Sequence, residues 1–229
     1  MKLAQNAALL PVSGKSSTSL VLTWDENNLV LIDAGYPGHV NDIAAAIAAQ
    51  GFDVKNLTHI ILTHQDLDHV GCVSDLQKLA PNLKVLAHID EAPYIDGRQL
   101  PIKLAERLAN YDNLTDDQRI AADNWKKIYE TNPITIAETV AEGQILPICG
   151  GIEIVHTPGH TPGHIVLYLK DSRIMVCGDA VNVKNGKLIG SNPIFTFDMA
   201  QAEASFEKIK AHGAVGFVAY HGGYIEAGA

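Results

Sequence analysis

The stretch Ile60-Ile-Leu-Thr-His64-Gln-Asp-Leu-Asp-His69 places metal-capable side chains directly after a short apolar run. The apolar run predicts a strand over residues 59–63, and the polar residues after it predict a turn into a helix. Histidine or aspartate alternates with other residues at positions 64, 66 and 68, and a histidine follows at once. In a strand-to-helix turn, this spacing can divide four side chains between two adjacent metal positions. The plainer interpretation is a polar turn with an aspartate that caps the helix.

Three further apolar runs lead into the same kinds of side chain, over residues 154–160, 175–179 and 217–221. Side chains on loops just past strand ends can converge at one edge of a sheet, where a rigid scaffold aims them at one point. Together the four runs favour a metal site over an ordinary polar turn. The pattern alone does not separate His160 from its neighbours His156 and His164.

The bulk composition indicates a globular protein, and its modest size and acidic balance suit work on small molecules. The chain has 229 residues, of which 47% are hydrophobic and 19% are charged, and its formal charge is −9. We expect one domain over residues 1–229. Basic residues are scattered, which argues against a nucleic-acid groove. No run approaches the roughly 20 apolar residues of a membrane span, and the first residues carry no signal-peptide pattern. We therefore expect a cytoplasmic protein. The sequence does not indicate its oligomeric state.

The three cysteines predict buried thiols. Cys72, Cys149 and Cys177 are odd in number and widely spaced, so the sequence indicates neither a disulfide framework nor a zinc ribbon.

Strand and helix patterns alternate along most of the chain, which favours an α/β fold of two sheets covered by helices. Predicted strands cover residues 19–23, 29–33, 59–63, 83–87, 151–156, 164–170, 173–177 and 216–220, and predicted helices cover 40–50, 72–79 and 199–211. Residues from about 91 to 132 have helical period and propensity instead. We expect this segment to be a helical insertion that forms a cap or lid. Its aromatic residues have the spacing of core positions, although some could line a pocket.

The motif set resembles that of the metallo-β-lactamase superfamily, which carries HxHxDH, a histidine in a Pro-Gly-His turn, an aspartate after a strand and a final histidine. The resemblance runs from about residue 19 to residue 221 and implies an αββα sandwich. It selects His160 from the three neighbouring histidines. It implies that His64, Asp66 and His160 hold one metal ion, that Asp68, His69 and His221 hold a second, and that Asp179 bridges the two.

By the same resemblance, the protein is a dinuclear metal-dependent hydrolase. The cofactors would be two divalent ions, zinc above all, with iron or manganese as alternatives. A metal-bridging hydroxide would cleave a small ester, thioester, lactone or β-lactam, and Asp68 would orient the water and pass its proton to the leaving group. Two other activities use the same fold: an iron-dependent redox enzyme such as a persulfide dioxygenase, and a phosphodiesterase.

Asp66 departs from the family pattern, which has histidine at this place. The substitution makes the metal site one unit less positive, so we expect it to favour harder ions and to attract anionic substrates less strongly. Asp33, in a second strand-turn segment that resembles the family, is a candidate to hold a ligand imidazole in place; a turn or capping role is the alternative.

Overall fold

The computed structural model describes residues 1–12 and 18–228. Residues 13–17 and 229 of the predicted domain lie outside the described residues. In chain order, the first seven strands are β1 (Lys2–Ala4), β2 (Ala7–Val12), β3 (Thr18–Trp24), β4 (Leu29–Ile32), β5 (His59–Ile61), β6 (Lys84–His88) and β7 (Glu138–Val140). Within the described part of the chain they form one sheet in this same spatial order, with antiparallel pairs up to β4 and parallel pairs from β4 to β7.

The second sheet comes from the other half of the chain. Its region contains β8 (Ile145–Leu146), β9 (Ile152–His156), β10 (Ile165–Leu169), β11 (Ile174–Val176), β12 (Val181–Lys184), β13 (Lys187–Gly190), β14 (Gly216–Ala219) and β15 (Gly223–Glu226). The sheet order is β15-β14-β11-β10-β9-β8, while β12 and β13 form a separate two-stranded ribbon. Strands β11 and β14 are parallel neighbours, so their carboxyl ends lie side by side.

The helices are α1 (Val40–Ala48), α2 (Leu67–Val70), α3 (Val73–Leu79), α4 (Ala92–Ile95), α5 (Ile102–Ala109), α6 (Asp116–Thr131) and α7 (Met199–Ala211). Helix α6 begins at a capping box, in which the Thr115 hydroxyl accepts a bond from the backbone N–H of Gln118 and the Gln118 side chain accepts one from the backbone N–H of Thr115. Among the described residues, no helix combines the length and apolar character that crossing a bilayer requires.

Among the described residues, three apolar cores hold the elements together in four layers. One core joins the first sheet to α1 and α3, through residues such as Ile43 and Leu76. A second lies between the sheets, and a third joins the second sheet to α7 through Ile209. In β3, Leu22 contributes to the first core and Val21 to the second, as the two-residue period of a strand requires. The predicted αββα sandwich is therefore confirmed.

The predicted insertion leaves the first sheet between two strands that pair directly. Leu86 of β6 is in register with Glu138 of β7, and α4, α5 and α6 lie in the chain between them. Strand β2 is not among the predicted strands, and Pro11 interrupts its apolar run. In the structure Pro11 lies beyond the short β1, where that side of β2 has no β1 partner and the missing N–H is tolerated.

Candidate metal centre

The loops that follow strand ends bring all seven predicted ligands into one cluster. The loop after β5 carries His64 and Asp66, helix α2 carries Asp68 and His69, and the β9–β10 loop carries His160. Asp179 follows β11 and His221 follows β14, whose carboxyl ends are adjacent. The cluster therefore joins the edges of both sheets.

The first group of three side chains is His64, Asp66 and His160. The Oδ2 atom of Asp66 lies 3.3 Å from Nε2 of His64 and 3.1 Å from Nε2 of His160. All three side chains are buried or nearly so. These three atoms are close enough together to surround one ion.

The second group is Asp68, His69 and His221. The Oδ2 atom of Asp68 lies 3.0 Å from Nε2 of His221 and 3.7 Å from Nε2 of His69. His69 is fully buried, whereas the His221 side chain is 30% exposed, so this group opens towards solvent. An open position beside the ligands is typical of catalytic rather than structural metal sites.

Asp179 lies between the two groups. Its Oδ1 atom is 3.6 Å from Nε2 of His69, and its Oδ2 atom is 3.7 Å from Nε2 of both His160 and His221. One carboxylate thus reaches ligands of both groups. This is the arrangement expected of a bridging ligand.

The donor atoms fit divalent metal ions. Nε2 of His64, Nε2 of His69 and Oδ1 of Asp179 are buried and have no hydrogen-bond partner within the described part of the chain. Buried polar atoms are rarely left unsatisfied, and here three of them face one small volume. Imidazole nitrogen with carboxylate oxygen suits zinc, iron and manganese.

The side chains of the cluster perturb one another's ionisation. Burial lowers the pKa of His64 to about 4. Burial alone would also lower the pKa of His69, but the carboxylates of Asp33, Asp68 and Asp179 raise it well above its usual range. Burial would raise the pKa of Asp179, but His69 and the other imidazoles hold it far below its ordinary value. Protons on some imidazoles thus balance the carboxylates, and a bound cation would replace those protons.

Asp33 orients His69, as one interpretation of the sequence expected. Its Oδ2 atom is 2.8 Å from Nδ1 of His69, and its Oδ1 atom accepts a 2.8 Å bond from the backbone N–H of Thr63. The Thr63 hydroxyl also lies 3.0 Å from Nδ1 of His64. An imidazole that donates its Nδ1–H to this carboxylate turns the Nε2 lone pair towards the cluster.

Glu91 holds two ligand loops together from a buried position. Its carboxylate accepts bonds from the backbone and side-chain N–H groups of Gln65, at 2.9 and 3.0 Å, and from the backbone N–H of Gly163 at 2.8 Å. Gln65 lies between two predicted ligands, and Gly163 lies in the loop of His160. Burial raises the pKa of Glu91 to about 7, against 4.5 for a free side chain.

The neighbouring histidines have other roles. Nε2 of His164 accepts the backbone N–H of Asp179 at 3.2 Å, so it supports the cluster from outside. His156 stacks on His88, with ring centroids 4.3 Å apart and planes 9° apart. Together with Asp90 these two rings form a second group of metal-capable side chains. Ring nitrogens of both histidines already meet the backbone: Nδ1 of His88 accepts the N–H of Asp90 at 3.3 Å, and Nε2 of His156 lies 2.9 Å from the carbonyl oxygen of Pro162.

A cleft of about 990 Å³ opens over the cluster. Its walls come from the cluster itself, from α5 and α6 of the insertion, and from residues 192–197. Lys103 of α5 reaches into the cluster, where Nζ bonds Oδ2 of Asp66 and lies 3.2 Å from Nε2 of His160. Trp125 lines the cleft, while Tyr129 donates a 2.8 Å bond to the carbonyl of Gln65.

Comparison with known proteins gives the family. The sequence profile of the metallo-beta-lactamase superfamily matches residues 13–214. The chain belongs to this superfamily. The predicted resemblance is thereby confirmed. The superfamily binds divalent metal ions, and the histidine and aspartate groups described above are the candidates to hold them in this chain.

Individual relatives of the superfamily agree with this assignment. The chain is 32% identical over 170 residues to the probable metallo-hydrolase YflN of Bacillus subtilis, covering 70% of this chain and 58% of that protein's length. It is 27% identical over 177 residues to the hydroxyacylglutathione hydrolase GloC of Haemophilus influenzae, covering 77% and 72%. The metallo-beta-lactamase family protein TTHA1429 of Thermus thermophilus superimposes with a TM-score of 0.79 and 20% identity, covering 99% and 76%, which shows the shared fold.

Three residues around the site, Thr63, Glu91 and Lys103, had no role in the sequence prediction. His164 entered it only as an alternative to the predicted ligand His160. Thr63 directly precedes the motif, and Lys103 lies within the predicted helical insertion, so both carried a weak local signal. Glu91 and His164 act through contacts with residues distant in sequence, which no local pattern reveals.

Proposed function

We propose that this protein is a dinuclear metal-dependent hydrolase that cleaves a small ester or thioester, with lactones and β-lactams as related substrates. The observation that carries the proposal is the position of Asp179 between two groups of three donors. Two divalent ions, when bound, lower the pKa of water and polarise a substrate carbonyl oxygen. His64, Asp66 and His160 would hold one ion, and Asp68, His69 and His221 the other.

Asp68 is the residue proposed to move the proton. Its side chain is 15% exposed and lines the cleft, while its Oδ2 atom faces His221. A carboxylate at the open side of the cluster can orient an attacking water and later deliver its proton to the leaving group. The Asp179 side chain is equally exposed, at 15%, but it lies between the two groups, and the ring nitrogen of His221 already faces Asp68.

The substrate proposal draws on the cleft and on one relative. A volume of about 990 Å³ suits a small molecule rather than a polymer. Hydroxyacylglutathione, the substrate in the name of the relative GloC, is a thioester. We propose ester and thioester cleavage first for this reason.

The test combines metal analysis with a hydrolysis screen on the same sample. The panel contains p-nitrophenyl acetate, an acyl thioester, a lactone, nitrocefin and bis-p-nitrophenyl phosphate. We expect two metal equivalents per chain and turnover of the ester or thioester that a chelator removes and added zinc restores. Turnover of the phosphodiester alone, or oxygen consumption with a persulfide in an iron-loaded sample, would replace the proposal by the corresponding alternative.

Replacement of the proposed proton carrier tests the mechanism. We expect Asp68→Asn to lower kcat by roughly 10²- to 10⁴-fold, because the amide keeps an oxygen donor but cannot take up the proton. Metal content and kcat are measured on the same preparation, with Asp75→Asn on the exposed face of α3 as the matched control. Unchanged kcat in a metal-replete Asp68→Asn variant would refute the role of Asp68.

A further inference from the structure

Helix α5 presents two cations to the cleft. Lys103 and Arg107 are four residues apart, which places both on one face of the helix, and both line the cleft. Glu106 is the one carboxylate that this helix adds to the described lining of the cleft, so the α5 wall keeps a net charge of +1. The Arg107 guanidinium lies 5.5 Å from the centre of the Trp125 ring and has no ion-pair partner among the described residues.

Lys103 contacts two side-chain atoms that are predicted to bind a metal ion. Its Nζ bonds Oδ2 of Asp66 and lies close to Nε2 of His160, and its side chain is 24% exposed. A cation bound to Asp66 and His160 would take the same lone pairs and would repel the ammonium. The Lys103 side chain, which is long and flexible, is then available to an anion in the cleft.

The opposite wall is apolar and open. Ile194 is 83% exposed, Phe195 55% and Phe197 59%, and all three line the cleft. The Phe195 ring centre lies 5.9 Å from Nζ of Lys103, so the basic and apolar walls face each other at side-chain distance. Exposed apolar side chains grouped at a cleft mouth mark binding surfaces, and pockets with apolar walls use a few polar groups to fix orientation.

We propose that the cleft selects substrates that carry a carboxylate beside an apolar acyl or aryl body. Lys103 and Arg107 bind the carboxylate, and Ile194, Phe195 and Phe197 contact the apolar body. This inference rests on the proposed hydrolase function and names its substrate class. It also changes the expectation that Asp66 weakens the attraction of anionic substrates. Asp66 makes the metal site less positive, but Lys103 and Arg107 on α5 supply positive charge where the substrate binds.

The test uses substrate pairs that differ only in charge. One pair is 4-acetoxybenzoate and 4-acetoxybenzamide, with the charge on the leaving group. The second is the phenyl monoester of terephthalate and its carboxamide, with the charge on the acyl group. A charge-assisted hydrogen bond predicts that kcat/KM favours the carboxylate member of at least one pair by about tenfold or more.

The variants Lys103→Met and Arg107→Met should bring the ratio of kcat/KM between the carboxylate and amide members close to one, mainly by raising KM for the carboxylate member. Both members of a pair meet the same variant, so any effect of Lys103 on Asp66 or on metal content cancels in the ratio. Lys126→Met is the matched control, because Lys126 lies on the exposed α6 surface, paired with Glu130, and its loss changes the net charge equally. A wild-type preference of one or less, or a preference that survives both substitutions, would overturn the proposal.

Binding measurements separate this inference from the proposed function. Calorimetric titration compares 4-hydroxybenzoate with 4-hydroxybenzamide on wild type and on both variants. If no ester is hydrolysed, the hydrolase proposal fails, yet tighter carboxylate binding that requires Lys103 or Arg107 still supports the subsite. Equal binding of the two compounds overturns the subsite, whatever the hydrolysis screen shows.

Discussion

Asp33 shows how much one residue outside the ligand set contributes to the site. It adopts a left-handed backbone conformation with φ of 61° at the end of β4 and accepts bonds from both Thr63 and His69. Aspartate and asparagine tolerate this conformation better than most residues. Asp33→Asn therefore keeps the backbone and removes only the charge and the acceptor that orients the imidazole.

We expect Asp33→Asn to weaken zinc binding by roughly 10- to 100-fold, because the amide can donate to Nδ1 of His69 and so place the ring proton on Nε2, which faces the cluster. Competition with a chromophoric chelator measures the affinity. Asp117→Asn, at an exposed position in the first turn of α6, is the control. Equal affinity of wild type and Asp33→Asn would show that the hydrogen bond has no influence on the metal.

At the scale of residues, the sequence predicted the cluster but not its surroundings. The seven metal-capable side chains stood out because each follows an apolar run, and the structure brings them together. Lys103 could not be linked to Asp66, because the two residues meet only through the packing of the insertion over the ligand loop. For Asp33 the sequence left two roles open, holding a ligand imidazole or forming a turn or cap.

At the scale of elements, the β9–β10 loop depends on its close approach to α7. Gly159 has φ of 134°, and a Cβ atom there would lie 2.2 Å from the backbone nitrogen of Ala202. The backbone N–H of Asp198, which caps α7, donates a 2.9 Å bond to the Gly159 carbonyl. A side chain at position 159 would therefore push the loop, and with it His160, away from the helix.

We expect Gly159→Ala to lower the free energy of unfolding by about 1–3 kcal/mol and to weaken metal binding as well. Gly186→Ala is the control, because Gly186 also has positive φ, at 69°, but no atom lies within 4 Å of its Cβ position. The control should lose stability through backbone strain alone and keep its metal affinity. If the two variants lost the same metal affinity, the contact with Ala202 would not be the cause.

The predictability of an element depended on its length and local signals. Long apolar runs gave β3, β4, β9 and β10 close to their observed bounds, and the helical period located α5 and α6. The ribbon of β12 and β13 was missed, although Asn185-Gly186 is a typical hairpin turn and both residues have positive φ. Its strands are short and partly exposed, so they lack the apolar alternation that marks a strand.

At the scale of the whole molecule, Glu91 couples stability to pH. Burial raises its pKa from 4.5 to about 7, so between these values the folded protein retains a proton that the unfolded chain has released. The stabilisation that comes from this retained proton is fully present below pH 4.5 and is lost as pH rises through 7. The loss amounts to about 3 kcal/mol in the metal-free protein.

Glu91→Gln should remove this dependence, because the amide does not titrate. Urea unfolding at pH 5, 6, 7 and 8, in the presence of chelator, gives the free energy of unfolding of both proteins. We expect wild type to be the more stable at pH 5, since glutamine cannot accept all three N–H bonds, and its advantage to shrink as pH rises. Glu138→Gln, on exposed β7, should follow wild type; parallel curves for wild type and Glu91→Gln would contradict the assignment.

The layered architecture was the most predictable property of the molecule. Strand and helix patterns in both halves indicated two sheets with outer helices. In the structure, each sheet packs against helices on one face and against the other sheet on its second face. Substrate preference was the least predictable property. In our proposal it depends on how α5 and residues 192–197 face each other across the cleft, and these segments are far apart in the chain.

Gln65 lies in the loop after β5 but makes its hydrogen bonds with the helical insertion. Its side chain donates to Glu91 and accepts a 2.8 Å bond from the backbone N–H of Ile102, and its carbonyl accepts the hydroxyl of Tyr129. One residue between two predicted ligands thus bonds three parts of the helical insertion. A graft of residues 91–132 onto another member of the superfamily would seat correctly only if glutamine were transplanted with it at the position of Gln65.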